Sequence, residues 1–161
     1  WLQNPEWSNA EPKVDTCEPS KVEKAMAGYQ CKVGDVLWEV SSETAGGKPV
    51  YYVGDMKVTG ILGQAASYED AQLSCPPDFY LPSARIRDWK KGLSNVKNQM
   101  GEFATLNADG IRSVIPKVQD AGFWSATEAN FFYGFVFYGS DGKIDLRVKY
   151  GPGAVLCVAG R

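Results

Sequence analysis

From Cys31 onward the hydrophobic pattern reads first as strands, then as helices, then as strands again. Asp35–Val40 (DVLWEV) and Val50–Val53 (VYYV) are β-rich runs on either side of a turn-rich, Gly-Gly-containing stretch, Ser41–Pro49, and predict a hairpin. Ser67-Tyr68-Glu69-Asp70 has the form of a capping box and predicts a helix running toward Cys75, stopped by Pro76-Pro77. Beyond Pro82-Ser83, residues Ile86, Trp89, Leu93 and Val96 recur at helical spacing. They predict a second helix whose remaining surface, with Arg85, Arg87, Lys90, Lys91 and Lys97, is solvated.

Met100–Val118 has no clean period and predicts loops with a short element around Ile111–Ile115. Gly122–Thr127 and the aromatic run Phe131–Tyr138 predict strands. A turn at Gly139–Gly142 leads into Lys143–Tyr150, where Ile144, Leu146 and Val148 alternate with Asp145, Arg147 and Lys149. That pattern predicts a strand with its charged face wet. Gly151-Pro152-Gly153 turns the chain again into Ala154–Val158, a last strand with Cys157 inside it. Ahead of all this, residues 1–16 show no period despite Trp1 and Trp7, and Lys21–Gly28 predicts two helical turns closed by Gly28.

Composition narrows the chemistry. The 161 residues suit one domain with an N-terminal extension. They include no histidine, which excludes Ser-His-Asp and Cys-His nucleophile systems and any His-containing zinc site. Seventeen basic against nineteen acidic side chains, net −2, argue against nucleic acid as a partner. Neither a phosphate loop nor a dinucleotide fingerprint occurs. No apolar run reaches the roughly 18 to 20 residues of a membrane helix, so no membrane insertion is expected. The start at Trp1, without Met or an apolar leader, predicts a piece of a longer protein. Cys17, Cys31, Cys75 and Cys157 contain no C-x-x-C pair, which favours two disulfides over a metal site and leaves three pairings open. Disulfides predict an oxidising location: extracellular, at the cell surface, or periplasmic.

Several short segments occur in a telling order: Val33-Gly34-Asp35, Ala71 through Cys75, Tyr80-Leu81-Pro82-Ser83, Phe123-Trp124-Ser125-Ala126-Thr127-Glu128, and Val155-Leu156-Cys157-Val158. In these the chain resembles the Lcl C-terminal domain family, C-type-lectin-like modules of bacterial surface adhesins. It departs from that family at Asp78-Phe79-Tyr80, where Gly-Trp-Arg is usual. The resemblance implies an α+β, C-type-lectin-like fold, with two helices packed on twisted antiparallel sheets and disulfide staples. It implies a Cys75–Cys157 bond, leaving Cys17–Cys31 as an N-terminal clip. Residues 1–31 then form a lead-in or stalk end and 32–161 the lectin-like domain. Leu81-Pro82 fixes an extended approach, Ser83 caps the following helix, and Trp124 fills the space between sheet and helices with its N–H on a backbone acceptor.

The implied function is a non-enzymatic adhesin module at the tip of a secreted or surface-displayed fibre. It would bind a glycan or a cell-surface protein, as a homo-oligomer such as a trimer. The alternative is a structural fibre-capping or trimerisation domain without a ligand. The Glu-Pro-Asn, Gln-Pro-Asp and Trp-Asn-Asp tripeptides of calcium-dependent lectins are missing, so no cofactor is expected. Candidate ligand-binding residues come from the aromatic run and the strand after it: Asn130, Phe131, Tyr133, Tyr138, Asp141, Asp145, Arg147, Lys149 and Tyr150. Aromatic faces stack on sugar C–H faces, and neighbouring polar groups bond the hydroxyls. Along a strand Phe131, Tyr133, Phe135 and Phe137 point one way, and Phe132, Val136 and Tyr138 the other.

Overall fold

The backbone period of two that the hairpin sequence announces builds most of the molecule. The structure, a computed structural model, describes residues 14–85 and 101–161. The predicted helix over Ile86–Val96 and the basic cluster from Arg87 to Lys97 lie outside the described residues.

A first sheet contains β1 (Asp15–Thr16), β2 (Gln30–Val33), β3 (Val36–Ala45), β4 (Lys48–Val53), β5 (Met56–Thr59) and β11 (Val158–Gly160), in that spatial order. A second sheet has the order β6 (Gly63–Ala65), β10 (Gly153–Val155), β7 (Gly122–Glu128), β8 (Tyr133–Tyr138) and β9 (Ile144–Val148). Three short α-helices join them among the described residues: α1 (Pro19–Lys24), α2 (Tyr68–Gln72) and α3 (Gly101–Ala108). The fold is α+β, but its sheets are mixed rather than antiparallel. β1 pairs in parallel with β2, and β10 in parallel with β7. The last strands therefore do not continue the β7–β8–β9 meander outward. They cross back, β10 between β6 and β7 and β11 onto β5, and Cys157 falls in the step between β10 and β11 rather than inside a strand.

The β3–β4 hairpin is longer than its sequence suggests, because Ser41–Ala45 is strand and the turn is only Gly46-Gly47. Both glycines are left-handed, φ +58° and +77°, as a tight hairpin turn with matching twist demands. The ladder shifts register between Val40 and Thr44. There Ser41 Oγ donates to the Val50 carbonyl at 2.7 Å and accepts the Glu43 N–H at 3.1 Å, so the irregularity is hydrogen-bonded.

α1 starts earlier than predicted and ends at Lys24, with Ala25 already extended. Gly28 is not its cap. It turns the chain into β2, its N–H reaching the Val40 carbonyl at 2.7 Å. α2 forms as expected, with Ser67 Oγ accepting the Asp70 N–H at 3.2 Å. Ser83 caps a helix too, but within the described residues that helix is α3: its hydroxyl accepts the Glu102 N–H at 3.2 Å and its carbonyl the Phe103 N–H at 3.0 Å.

Two cores lie on opposite faces of the second sheet. The first gathers Trp38, Tyr51, Met56, Val58, Phe103 and Leu106 with Phe123 and Phe137. Phe103 stacks on Phe137 at 4.9 Å between ring centroids and sits 6.4 Å from Phe123. The second holds Tyr68, Ala71, Leu81, Trp124, Val136, Val155 and Cys157. Trp38 Nε1 donates to the Asp109 carbonyl at 2.7 Å, whereas the buried Trp124 N–H finds no acceptor among the described residues, contrary to expectation. Two disulfides close the structure, Cys17–Cys31 and Cys75–Cys157. Cys17, Val22 and Cys31 belong to the same core as Trp38.

Candidate functional site

Three local devices bring the site together. Asn130 Oδ1 accepts the N–H groups of Phe132 at 2.8 Å and Tyr133 at 2.9 Å, an Asx turn that closes the β7–β8 connection. The turn throws Phe131 and Phe132 outward, 76% and 56% exposed and packed edge to face at 5.1 Å. At the other strand end, the Lys149 N–H bonds the Phe132 carbonyl at 3.0 Å and the Gly151 N–H bonds the Val148 carbonyl at 3.0 Å, leaving Tyr150 on a turn at 74% exposure. The Tyr68 N–H then donates to the Lys149 carbonyl at 2.9 Å, fastening the start of α2 beside both.

The result is a cleft of about 360 Å³ with Phe131 and Tyr150 on its walls and Ser67, Tyr68, Glu69, Glu128 and Lys149 completing it. Lys149 is largely sheltered. Its ammonium pairs with Glu128 at 2.8 Å and lies 5.1 Å from the centre of the Tyr68 ring. Tyr68 is held in turn by an edge-to-face contact with Trp124 at 5.5 Å. An ion pair thus lines the cleft together with two exposed aromatic side chains and Glu69. That combination suits a ligand with flat apolar C–H surfaces and hydroxyl groups.

The predicted residues do not all meet here. Phe131, Lys149 and Tyr150 line the cleft. Asn130 shapes it through its backbone bonds. Asp141 lies at the far end of β8, where its Oδ1 accepts the Lys143 N–H at 2.9 Å. Tyr133 faces the opposite side of the sheet, paired with Val148. Tyr138 packs against the second core beneath Arg147, whose guanidinium lies 5.3 Å from the ring and donates to the Pro152 carbonyl at 2.6 Å.

The expected wet face of β9 holds at Asp145, which is exposed, and fails further along. Leu146 and Val148 are 46% and 43% exposed, while Arg147 and Lys149 are partly covered. α2 and the Gly151-Pro152 turn lie on the charged side, and the apolar side extends past the first core at the sheet edge. Lys143 and Lys149 direct their backbone bonds to β8, so Leu146 directs its own outward from this edge strand. Asp145 occupies that outward N–H, with Oδ1 accepting it at 2.7 Å. The carboxylate is thereby engaged at the sheet edge, away from the cleft lining.

Sequence reading missed Ser67, Tyr68, Glu69 and Glu128 as site residues. Their sequence signals are those of a helix cap and a strand end, and nothing local says the two meet.

Among the described residues no three Cys, Asp or Glu side chains gather in a metal-binding arrangement, and no helix is long and apolar enough to cross a membrane. All four cysteines are disulfide-bonded. Comparison with family models, with curated proteins and with solved structures finds no match to this chain.

Proposed function

We propose that this chain is a non-enzymatic recognition module of the C-type-lectin-like kind, akin to the Lcl C-terminal domains. It takes a sugar ring of a surface glycan between Phe131 and Tyr150. The observation that carries the reading is the cleft itself: two aromatic side chains more exposed than large hydrophobic groups normally are, lining it together with the Lys149–Glu128 ion pair, of which the lysine is sheltered. The aromatic faces supply stacking, and Glu128, Glu69 and the Ser67 hydroxyl offer partners for ring hydroxyls. The two disulfides support a working place outside the reducing cytoplasm, at the cell surface, beyond it or in the periplasm.

A glycan array on the folded chain, run with and without chelator, tests this. Binding is expected in both conditions, and Phe131→Ala or Tyr150→Ala lowers affinity about tenfold, the worth of one lost aromatic contact of roughly 1 kcal/mol or slightly more. Both side chains are exposed, so the thermal midpoint stays where it was. Unchanged affinity in both variants refutes the cleft. A blank array favours the second reading, a fibre-capping or trimerising domain, which the exposed apolar group of Tyr133, Leu146 and Val148 on one face of the β8–β9 pair supports. Light scattering showing a stable oligomer, lost on Leu146→Asp, decides for it.

A further inference from the structure

A second groove, formed where the β3–β4 hairpin, the β5–β6 loop and the Ile115–Lys117 segment converge, has a different chemistry. Its volume is about 400 Å³, and Pro49, Ile61, Ile115 and Pro116 give it an apolar lining. Lys48 and Lys117 also line it, and neither ammonium makes an ion pair or hydrogen bond among the described residues. Lys117 is held there by an unusual backbone. It is a non-glycine residue at φ +68°, ψ 2°, leading into the 3-10 turn Val118–Asp120. Such a conformation is disfavoured for a residue with a Cβ and persists only where the surroundings enforce it.

Tyr51 supplies the third donor. The residue is 4% exposed, its ring lines the groove, and its hydroxyl has no hydrogen-bond partner among the described residues. The hydroxyl oxygen itself is not sealed from solvent, so it opens onto the groove and is able to donate to an acceptor bound there. Burial, reinforced by the negative charge of Glu23, raises the phenol above its usual range, which keeps the proton on the oxygen at neutral pH. Glu23 also lines the groove, so two ammonium groups against one carboxylate leave one net positive charge. That balance matches a monoanion.

We infer that this groove binds a small organic acid, an apolar body with a single carboxylate. The apolar part rests on Ile61, Ile115 and the two prolines, and the carboxylate accepts hydrogen bonds from Tyr51 Oη, Lys48 and Lys117. The site is independent of the Phe131–Tyr150 cleft, being built from other elements and from opposite chemistry: cationic groups over aliphatic side chains rather than exposed aromatics beside carboxylates.

Amide-detected NMR titration of the intact chain with 3-phenylpropionate tests the inference, with the neutral 3-phenylpropanamide as control. The acid is expected to move the Gly60, Ile61 and Lys117 amides along a saturable curve, and the amide to bind about tenfold more weakly or worse. The Lys48→Gln, Lys117→Gln double variant loses about tenfold in affinity, and Tyr51→Phe loses several-fold while keeping its packing. Both lysines are exposed, so the double variant keeps its thermal midpoint and its glycan binding at the other cleft. Equal binding of acid and amide overturns the assignment. So does unchanged affinity in the double variant, or the absence of a saturable shift with the acid.

Discussion

Replacing Cys75 and Cys157 together by alanine removes the link between the C-terminal end of α2 and the step from β10 to β11, across a sequence separation of 82 residues. In the chain-entropy picture, freeing a loop of that size costs about 4.5 kcal/mol at room temperature. The Cys17–Cys31 link spans 14 residues and is worth about 3 kcal/mol on the same basis. Alanine also leaves a void of about 1 kcal/mol at each buried sulfur. Cys17, Cys31 and Cys157 are buried and Cys75 partly buried, so the void cost is, if anything, smaller for the long link and the expected order rests on loop length.

The expected difference is therefore about 1.5 kcal/mol, with the long link the more costly to lose. For a chain of this size the Cys75–Cys157 loss corresponds to a fall of about 9 to 18 °C in thermal midpoint. Equilibrium urea unfolding followed by tryptophan fluorescence measures it, since Trp38 and Trp124 are fully buried and report loss of both cores. The m-value should rise in each variant, because an unlinked denatured chain exposes more surface. If losing the short link costs as much as losing the long one, loop entropy is the wrong account. Stability then resides in local packing of the Cys17–Cys31 region.

Alkaline pH supplies another test. Burial and, to a lesser extent, the Glu102 charge raise the Tyr80 phenol from 10.0 to about 12, so the folded state holds that proton more tightly than the unfolded chain does. The contribution is intact below about pH 10 and is lost as pH climbs to about 12, amounting to roughly 2 to 3 kcal/mol. Urea midpoints across that window should fall, and fall less in Tyr80→Phe; identical slopes would count against burial as the cause. Tyr29 and Tyr51 are raised as well and add to the decline with the same sign. At the sheet edge, Asp145→Ala uncovers the outward Leu146 N–H beside exposed Leu146 and Val148, and concentration-dependent association should appear by sedimentation. A monomer at all concentrations would show that the carboxylate does not guard the strand.

The elements that were legible in advance are those whose signals are local. The β-rich run Val50–Val53, a glycine pair, and a serine followed by carboxylates each act through their own backbone, and all three became what they promised. α3 was not legible. Gly101, Glu102, Phe103, Thr105 and Leu106 are all buried, so the helix is enclosed on several sides and shows no amphipathic stripe for a periodic reading to find. The aromatic strand was half legible. Val136 and Phe137 are both fully buried because cores lie on both faces of the sheet, whereas Phe131 and Phe132 escape at the turn before β8.

What the sequence determined by itself is the inventory: an α+β chain without histidine, two disulfides from four cysteines, and an aromatic, charged C-terminal third. Which of those groups are free to bind anything was decided only in three dimensions. Asn130, Asp141, Asp145 and Arg147 look like ligand-binding residues in one dimension, yet each has a backbone group within reach once the turns and the sheet edge form, and each takes it. Glu128 and Glu69 carry no local sign of a site. They join Lys149 and Tyr150 because the Tyr68 amide bonds to the end of β9, a contact across about eighty positions of chain that no local pattern encodes.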